Sequence, residues 1–136
     1  MYEIFEHTAD LGLRVRSPSL NELFEEAAVA LFSAIVENPD NIRPTKQYSF
    51  QLEAEQGDEL LRDWLGELLY HFHADHLLLG RFQVSIQNNR LTATAAGEQV
   101  DTTKHKIDME IKAVTYHGLK LVHDDDGWLA EVIVDI

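Results

Sequence analysis

The chain has 136 residues, no cysteine, and 24 acidic against 11 basic side chains, which gives a formal net charge of −13. This length fits one domain, residues 1–136, with a core that needs no structural metal. Without cysteine there is no disulfide framework, thiolate zinc site or cysteine nucleophile. The apolar runs are too short to cross a membrane and the N-terminus lacks a signal-peptide pattern, so we expect a cytoplasmic protein. Tight binding of nucleic acid is not expected, because phosphate backbones are bound by clustered Lys and Arg.

The first predicted elements are a strand and an amphipathic helix. The strand lies in "FEHTADLGLRV", where every second residue after Asp10 is apolar. The helix covers residues 20–36, because apolar side chains recur there at i, i+3 and i+4. Ser19 and Glu22 have the spacing of a capping box at its start. "ENPDNIRPTK" then predicts a loop.

A second helix is predicted over about residues 59–78, with Asp58 as its N-cap. Most of the other segments alternate with period two, and the predicted strands include those starting at Tyr48, Phe82, Leu91, Ile107, Leu119 and Trp128. "QNNR" and "DDDG" predict turns between strands. Alternation of this kind is typical of antiparallel sheets with one buried face. The expected fold is an α+β two-layer sandwich, with one mostly antiparallel sheet and two amphipathic helices on one face.

Two polar motifs resemble metal sites but are better explained as solvated segments. In "HFHADH", His71 and His73 point nearly opposite ways on a helix, and no third zinc ligand is obvious. "HDDDGW" fails as a calcium loop: aligned on Gly127, its first and twelfth positions are Val122 and Ile133, which have no carboxylate. We therefore expect a solvated helix end and a hairpin turn.

Two carboxylates lie where the strands should be most apolar. Asp10 begins one alternating segment, and Asp135 follows the apolar segment "AEVIV". If one strand starts where the other ends, the two carboxylates come together and repel each other unless a hard cation such as calcium or magnesium binds them. The alternative is that each is an exposed aspartate at a strand end.

Five motifs are distributed over the whole chain: "HTAD" at 7–10, the helix "SLNELFEEAAVALF", "GEQVDTTKH" at 97–105, "EIKAVTYHGLKL" at 110–121 and the terminal "VIVDI". Together they resemble the archease family. They follow the family's order and reach from end to end. The resemblance implies a metal site, occupied by calcium, formed by Asp10, Asp135 and Ile136. An isoleucine can contribute only backbone oxygen to such a site.

The same resemblance implies a function and a partner. Archeases are non-catalytic helpers of RtcB-type RNA ligases, which join RNA ends in tRNA splicing and RNA repair using manganese and GTP. They promote guanylylation of the ligase and its multiple turnover. The matched motifs also imply a polar, partner-facing surface formed by His7, Glu98, Asp101, Lys104, Glu110 and Lys112.

Each of these assignments has an alternative. The polar residues could form a solvated sheet face with cross-strand ion pairs that contribute little. His7 could support the metal site or be a hydrogen-bonded strand histidine. An independent metal-assisted hydrolase using Asp10 and Asp135 is the alternative function, although the sequence offers no recognisable nucleophile, base or substrate pocket for it.

Overall fold

The computed structural model describes residues 1–7 and 10–136, apart from the side chain of His7. Within these residues, the secondary structure comprises eight strands and two α-helices, with one turn of 3₁₀ helix at Pro39–Asn41. The elements are β1 (Tyr2–His7), β2 (Asp10–Ser17), α1 (Leu20–Ile35), β3 (Lys46–Glu53), α2 (Gly57–Asp75), β4 (Leu77–Gln87), β5 (Arg90–Gln99), β6 (Ala113–Val114), β7 (Lys120–Asp124) and β8 (Gly127–Asp135). The predicted α+β class is confirmed.

The strands form two antiparallel sheets. The first has the order β1-β2-β8-β6, with β7 also paired to β8, and the second has the order β3-β5-β4. The predicted antiparallel pairing is confirmed, but the prediction of a single sheet is wrong, because the strands are divided between two sheets. Alternation shows which face of a strand is buried, and it carries no information about which strands are neighbours.

Helix α1 contacts both sheets, packing against β2 and β4. Its predicted apolar stripe is largely buried, and so are Ala28 and Ala30, both 0% exposed, which point nearly opposite ways. The buried face of α1 is therefore wide. At the start of the helix, Ser19 Oγ accepts a hydrogen bond from Glu22 N at 3.2 Å, as the capping sequence predicts.

Polar side chains of α1 also protect the edge strand β4. Glu25 Oε2 accepts a hydrogen bond from Val84 N at 2.8 Å, and Asn21 Oδ1 accepts one from Ile86 N at 2.9 Å. These backbone donors would otherwise be open to pairing with another strand.

Helix α2 starts slightly earlier than predicted and ends at Asp75, before the predicted end at Leu78. It stops because His76 adopts a left-handed conformation, with φ of 56°, after which β4 begins. The predicted N-cap, Asp58, lies inside the first turn, and its Oδ1 accepts a hydrogen bond from Glu59 N at 2.8 Å. In the described part of the chain, neither helix has the length and apolar character needed to span a membrane.

The predicted strand that starts at Ile107 is wrong for most of its length. Only Ala113–Val114 forms a strand of the ladder there. The preceding backbone instead donates hydrogen bonds to a carbonyl at the end of α1. Asp108 N and Met109 N both donate to Ile35 O, at 2.8 and 3.3 Å, and so supply partners that the helix itself does not offer. The two predicted turns are confirmed: "QNNR" joins β4 to β5 and "DDDG" joins β7 to β8.

Candidate metal site and the polar segment beside it

Strand register places Asp10 directly opposite Asp135. Asp10 begins β2, Asp135 ends β8, and the two are Cα partners in the antiparallel ladder. Opposed residues in such a ladder point to the same face, with their Cβ atoms about 4.5–5.5 Å apart. Both residues are half-buried. The two carboxylates therefore belong to one site, although nearly the whole sequence separates them.

The carboxylate pair lies on the outer face of the first sheet. Along β2, Leu11, Leu13 and Val15 turn inward and join the core. Asp10 and Gly12 alternate with them and so turn outward. The carboxylate in an apolar strand is thus not a buried core charge: it lies at the strand end, on the opposite face.

Asp135 is held from both sides. On the side away from β2, Asp135 pairs with Ala113 of β6. Lys112 N also donates a hydrogen bond to Asp135 O at 2.7 Å. The side chain of Ile136 packs against the core, which fixes the backbone that follows Asp135. These contacts position the backbone at the end of β8.

An aromatic ring covers the neighbouring row of the sheet. Phe5 lies opposite Gly12, and a Cβ built on Gly12 would be 2.2 Å from Phe5 Cζ. The Arg14 guanidinium lies 4.5 Å from the centre of the same ring. Hydrogen bonds from Arg14 to Glu3 and Glu131 raise the pKa of the guanidinium. The Arg14 guanidinium is therefore already paired with two acids other than Asp10 and Asp135.

The predicted role of His7 falls outside the described residues. The backbone of His7 is the ladder partner of Asp10. Its side chain is not described, and neither are Thr8 and Ala9, the middle of the "HTAD" motif. The role of His7 stays a prediction.

The donor set at the pair fits a hard cation. Two carboxylates and the backbone oxygen of Ile136 are oxygen ligands of the kind that calcium and magnesium prefer. Among the described side chains, which leave out that of His7, no group of three or more His, Asp or Glu residues comes together to hold a metal ion. Calcium takes about 6–8 oxygen ligands. A cation at this pair would therefore keep coordination positions for water or for groups of a partner.

Glu98, at the end of β5, is the centre of a second polar cluster. Its Oε2 accepts hydrogen bonds from Arg43 N at 2.7 Å, Lys104 Nζ at 2.5 Å and His105 Nε2 at 3.0 Å. Burial acts to raise the pKa of this carboxyl, but the three hydrogen bonds outweigh it and lower the pKa to about 2. The carboxylate predicted to face a partner is thus engaged within the chain.

His105 is a site residue that the sequence did not reveal. Its side chain is fully buried, and its Nδ1 accepts a hydrogen bond from Asp101 N at 2.9 Å. Because Nδ1 is an acceptor, Nε2 carries the proton and donates it to Glu98, so the ring is the neutral tautomer. A histidine four residues after an aspartate in a turn-forming motif is the only sequence signal of this arrangement.

Asp101 shapes its own turn. Its Oδ1 accepts hydrogen bonds from Thr103 Oγ1 at 2.7 Å and Thr103 N at 3.0 Å, and these lower the pKa of the Asp101 carboxyl. Asp101 O also accepts hydrogen bonds from Lys104 N and His105 N. This residue therefore organises the 101–105 turn.

The segment after this turn runs from the Glu98 cluster to the carboxylate pair. It is attached to Ile35 at the end of α1 and to Asp135 at the end of β8. Of the polar set predicted to face a partner, Glu110 and Lys112 are exposed on the segment that ends at the candidate metal site. In the preceding turn, Asp101 is exposed and Lys104, whose side chain is 28% exposed, is partly buried against Glu98.

The fold and this site describe a small α+β protein with two antiparallel sheets and an acidic pair at a strand end. The sequence matches the Archease protein family (MTH1598/TM1083) over residues 2–136, and the chain belongs to that family. It is 39% identical to protein archease of Pyrococcus furiosus over 140 residues, covering 99% of this chain and 98% of the relative. For protein archease of Methanosarcina barkeri the identity is 38%, with coverage of 99% and 95%.

Two solved structures share the fold. The solution structure of Methanobacterium thermoautotrophicum protein 1598 superposes with a TM-score of 0.87 at 32% identity, covering 99% of this chain and 98% of that chain. The crystal structure of an archease from Thermotoga maritima, described as a possible chaperone, gives a TM-score of 0.68 at 25% identity, with coverage of 100% and 98%.

Proposed function

We propose that this archease is a metal-binding accessory protein that activates an RtcB-type RNA ligase in tRNA splicing and RNA repair. It promotes guanylylation of the ligase and its multiple turnover, and it does not ligate RNA itself. The observation that carries this proposal is the direct opposition of Asp10 and Asp135 in the ladder. Its cofactor is calcium or another hard divalent cation.

The chemistry of the pair supports an accessory role better than an independent hydrolase. A hydrolase would need a base or a nucleophile beside the cation. Of the side chains that the structure describes, His7 not among them, none joins the pair to form a group of three His, Asp or Glu side chains that could hold a metal ion. A cation held by few protein ligands is suited to accept a ligand from another molecule. The exposed Glu110 and Lys112, with the partly exposed Lys104, supply a polar surface for that molecule.

The test is ligase activation by variants of the pair. We expect Asp10→Asn and Asp135→Asn each to abolish activation, because each removes a charge and a metal ligand while keeping the size of the side chain. The matched control is Glu53→Gln, which neutralises a carboxylate that is 71% exposed and paired with Arg90 on the surface. Guanylylation of the ligase is measured against concentration of each protein at fixed metal, with circular dichroism to verify folding.

Two results would contradict the proposal. One is full activation by both aspartate variants in their folded state, which would remove the pair from the mechanism. The other is robust turnover of RNA or nucleotide by the isolated protein, which would favour the hydrolase.

A further inference from the structure

The outer face of the second sheet carries an open recess of about 700 Å³. Along β5, Ala95 joins the core, and the alternating residues Thr94 and Ala96 face outward and form the floor of the recess. Residues 44–47, where the chain enters β3, form one wall, and Arg81 of β4 lies on the other side. The recess therefore lies between two strands with long polar side chains, above the small side chains of the middle strand.

The wall of the recess is fixed by contacts within the chain. Ile42 is buried, and a Cβ built on Gly80 would be 3.3 Å from Ile42 Cβ, so the loop packs closely on the sheet at this point. Thr45 Oγ1 donates a hydrogen bond to Gly97 O at 3.2 Å. A preformed wall lets a ligand bind without the entropic cost of ordering a loop.

The recess is lined by cations in a strongly acidic protein. The chain has 24 acidic and 11 basic side chains. None of the described residues that line the recess is acidic, whereas Lys46 and Arg81 both line it and are exposed. Neither of these two side chains forms an ion pair or a hydrogen bond with another described residue. Their donors are therefore free to bind an anion.

Two acidic side chains approach this part of the sheet, and both are engaged elsewhere. Glu98 lies two residues beyond Ala96 on β5, and its Oε2 already accepts three hydrogen bonds. Glu25 of α1 reaches β4 from the helix, and its Oε2 accepts a hydrogen bond from Val84 N at 2.8 Å. Neither carboxylate forms an ion pair with the two cations of the recess.

From the recess, a trough continues along β5. Most of its lining consists of uncharged hydroxyl and amide side chains: Ser49, Gln51, Gln83, Ser85, Thr92 and Thr94. Two of them, Gln83 and Thr94, also line the recess, so the two spaces are continuous. In the part of the chain that the structure describes, none of the six side chains has a hydrogen-bond partner. From residue 92 to residue 96 the trough and recess together span about 14 Å.

We propose that the recess and the trough bind a phosphorylated sugar. The phosphate group pairs with Arg81 and Lys46, because a guanidinium binds phosphate oxygens with two parallel N–H donors and a lysine adds a second charge. The sugar hydroxyls bond to the hydroxyl and amide side chains of the trough, which can both donate and accept. The inference goes beyond the proposed function and does not depend on it, because this site lies on a different sheet from the carboxylate pair.

Charge favours a phosphate monoester over a carboxylate or an RNA backbone. A monoester carries about −1.5 to −2 charges at neutral pH and can meet both cations, whereas a carboxylate carries one charge. An RNA backbone needs repeated cations along its path. Arg90, at the far end of the trough, is already paired with Glu53 at 3.1 Å. The site is therefore suited to one phosphate group with an uncharged body behind it.

The test is direct binding, measured by isothermal titration calorimetry with ribose 5-phosphate, inorganic phosphate and ribose as probes. The buffer has low salt and no calcium, so that phosphate cannot bind through a cation at the carboxylate pair. We expect ribose 5-phosphate to bind about tenfold more tightly than inorganic phosphate, since it adds hydrogen bonds in the trough, and ribose alone to show no measurable binding.

Three substitutions and a matched control locate the site. Arg81→Gln and Lys46→Gln are each expected to weaken binding of ribose 5-phosphate about tenfold, because each removes a charged donor. Thr94→Val keeps the side-chain shape and is expected to weaken binding of ribose 5-phosphate but not of inorganic phosphate. Lys120→Gln is the control, because Lys120 is also an exposed lysine at the first position of a strand, but in the first sheet. Circular dichroism verifies that each variant folds.

The inference is overturned if ribose 5-phosphate shows no saturable binding, or if Lys120→Gln weakens binding as much as Lys46→Gln does. Tighter binding of a short RNA without a terminal phosphate would also overturn it, because the ligand would then be a backbone. A nucleoside monophosphate distinguishes the two sources of a phosphorylated sugar. Binding tighter than that of ribose 5-phosphate supports a nucleotide, and equal or weaker binding supports a sugar phosphate. No ligase enters these measurements, so their failure leaves the proposed function standing.

Discussion

At the scale of single residues, Glu98 holds two loops together by hydrogen bonds, and the segment that follows its cluster leads to the candidate metal site. Its carboxylate joins the loop at Arg43 to the turn at Lys104 and His105. Variants at this position will therefore reduce function first through folding. Lys104, whose charge is held by Glu98, is positioned by the same contact.

Replacing Glu98 by Gln is expected to lower the free energy of unfolding at pH 7 by about 1–3 kcal/mol, since hydrogen bonds to a charged acceptor are lost. The folded pKa of Glu98, about 2, lies below the ordinary value of 4.5. The stabilisation is therefore present above about pH 4.5 and is lost as the pH falls through about 2. Urea unfolding of both proteins at pH 7 and pH 3 measures this. A stability difference that stays constant, or grows, at pH 3 would contradict the assignment.

The sequence indicates some site residues and misses others for physical reasons. Asp10 and Asp135 are visible because a charge within apolar alternation is locally anomalous. The role of His105 depends on a turn that brings its ring to Glu98, and no periodicity encodes such a turn.

At the scale of elements, the β4–β5 pair contains a close approach that requires glycine. The register shifts between Leu79 and Arg81, which brings Leu78 O to 1.9 Å from the position of a Cβ on Gly97. Because the obstacle is backbone, it cannot move aside as a flexible side chain would.

We expect Gly97→Ala to destabilise the protein by about 3 kcal/mol or more, or to prevent folding, because the ladder must shift to admit a methyl group. Gly66→Ala is the matched control. It lies in a helix, and a Cβ there would meet the flexible Arg62 guanidinium at an ordinary van der Waals distance of 3.5 Å, so the change should be neutral or stabilising by up to about 1 kcal/mol. Thermal unfolding followed by circular dichroism compares the two variants. Equal melting temperatures for both would show that the β4–β5 pair adjusts freely.

Element boundaries were predictable where local signals exist. The start of α1 follows from its cap and its stripe, and the "QNNR" turn follows from two asparagines, which adopt φ of 51° and 59°. The segment at 107–112 alternates like a strand but bonds to the end of α1 instead. Its hydrogen-bond partners, Ile35 and Asp135, are distant in sequence, so its alternating pattern alone does not distinguish a strand from an irregular segment.

At the scale of the whole molecule, net charge bears on RNA. With a net charge of −13, the isolated protein is expected to bind tRNA weakly or not at all at physiological salt. A gel-shift titration at two salt concentrations tests this. Tight binding that weakens steeply with salt would be inconsistent with the prediction.

The division into two sheets was the part of the fold least accessible from sequence. Both sheets bury one face against the same helices, so their strands carry the same alternating pattern. The wide buried face of α1, which includes Ala28 and Ala30, is the trace that the second sheet leaves in the sequence. This trace is weak because alanine is also common on exposed helix faces.

The position of β8 has a consequence for biosynthesis. This strand lies inside the first sheet, with β2 on one side and β6 and β7 on the other, yet it is made after all of them. While the ribosome is still translating residues 1–126, Asp10 has no Asp135 opposite it, and β6 and β7 have no strand to join. A nascent or prematurely terminated chain is thus unable to assemble the carboxylate pair. Competence to hold the proposed cation therefore requires that translation has passed through residues 127–135.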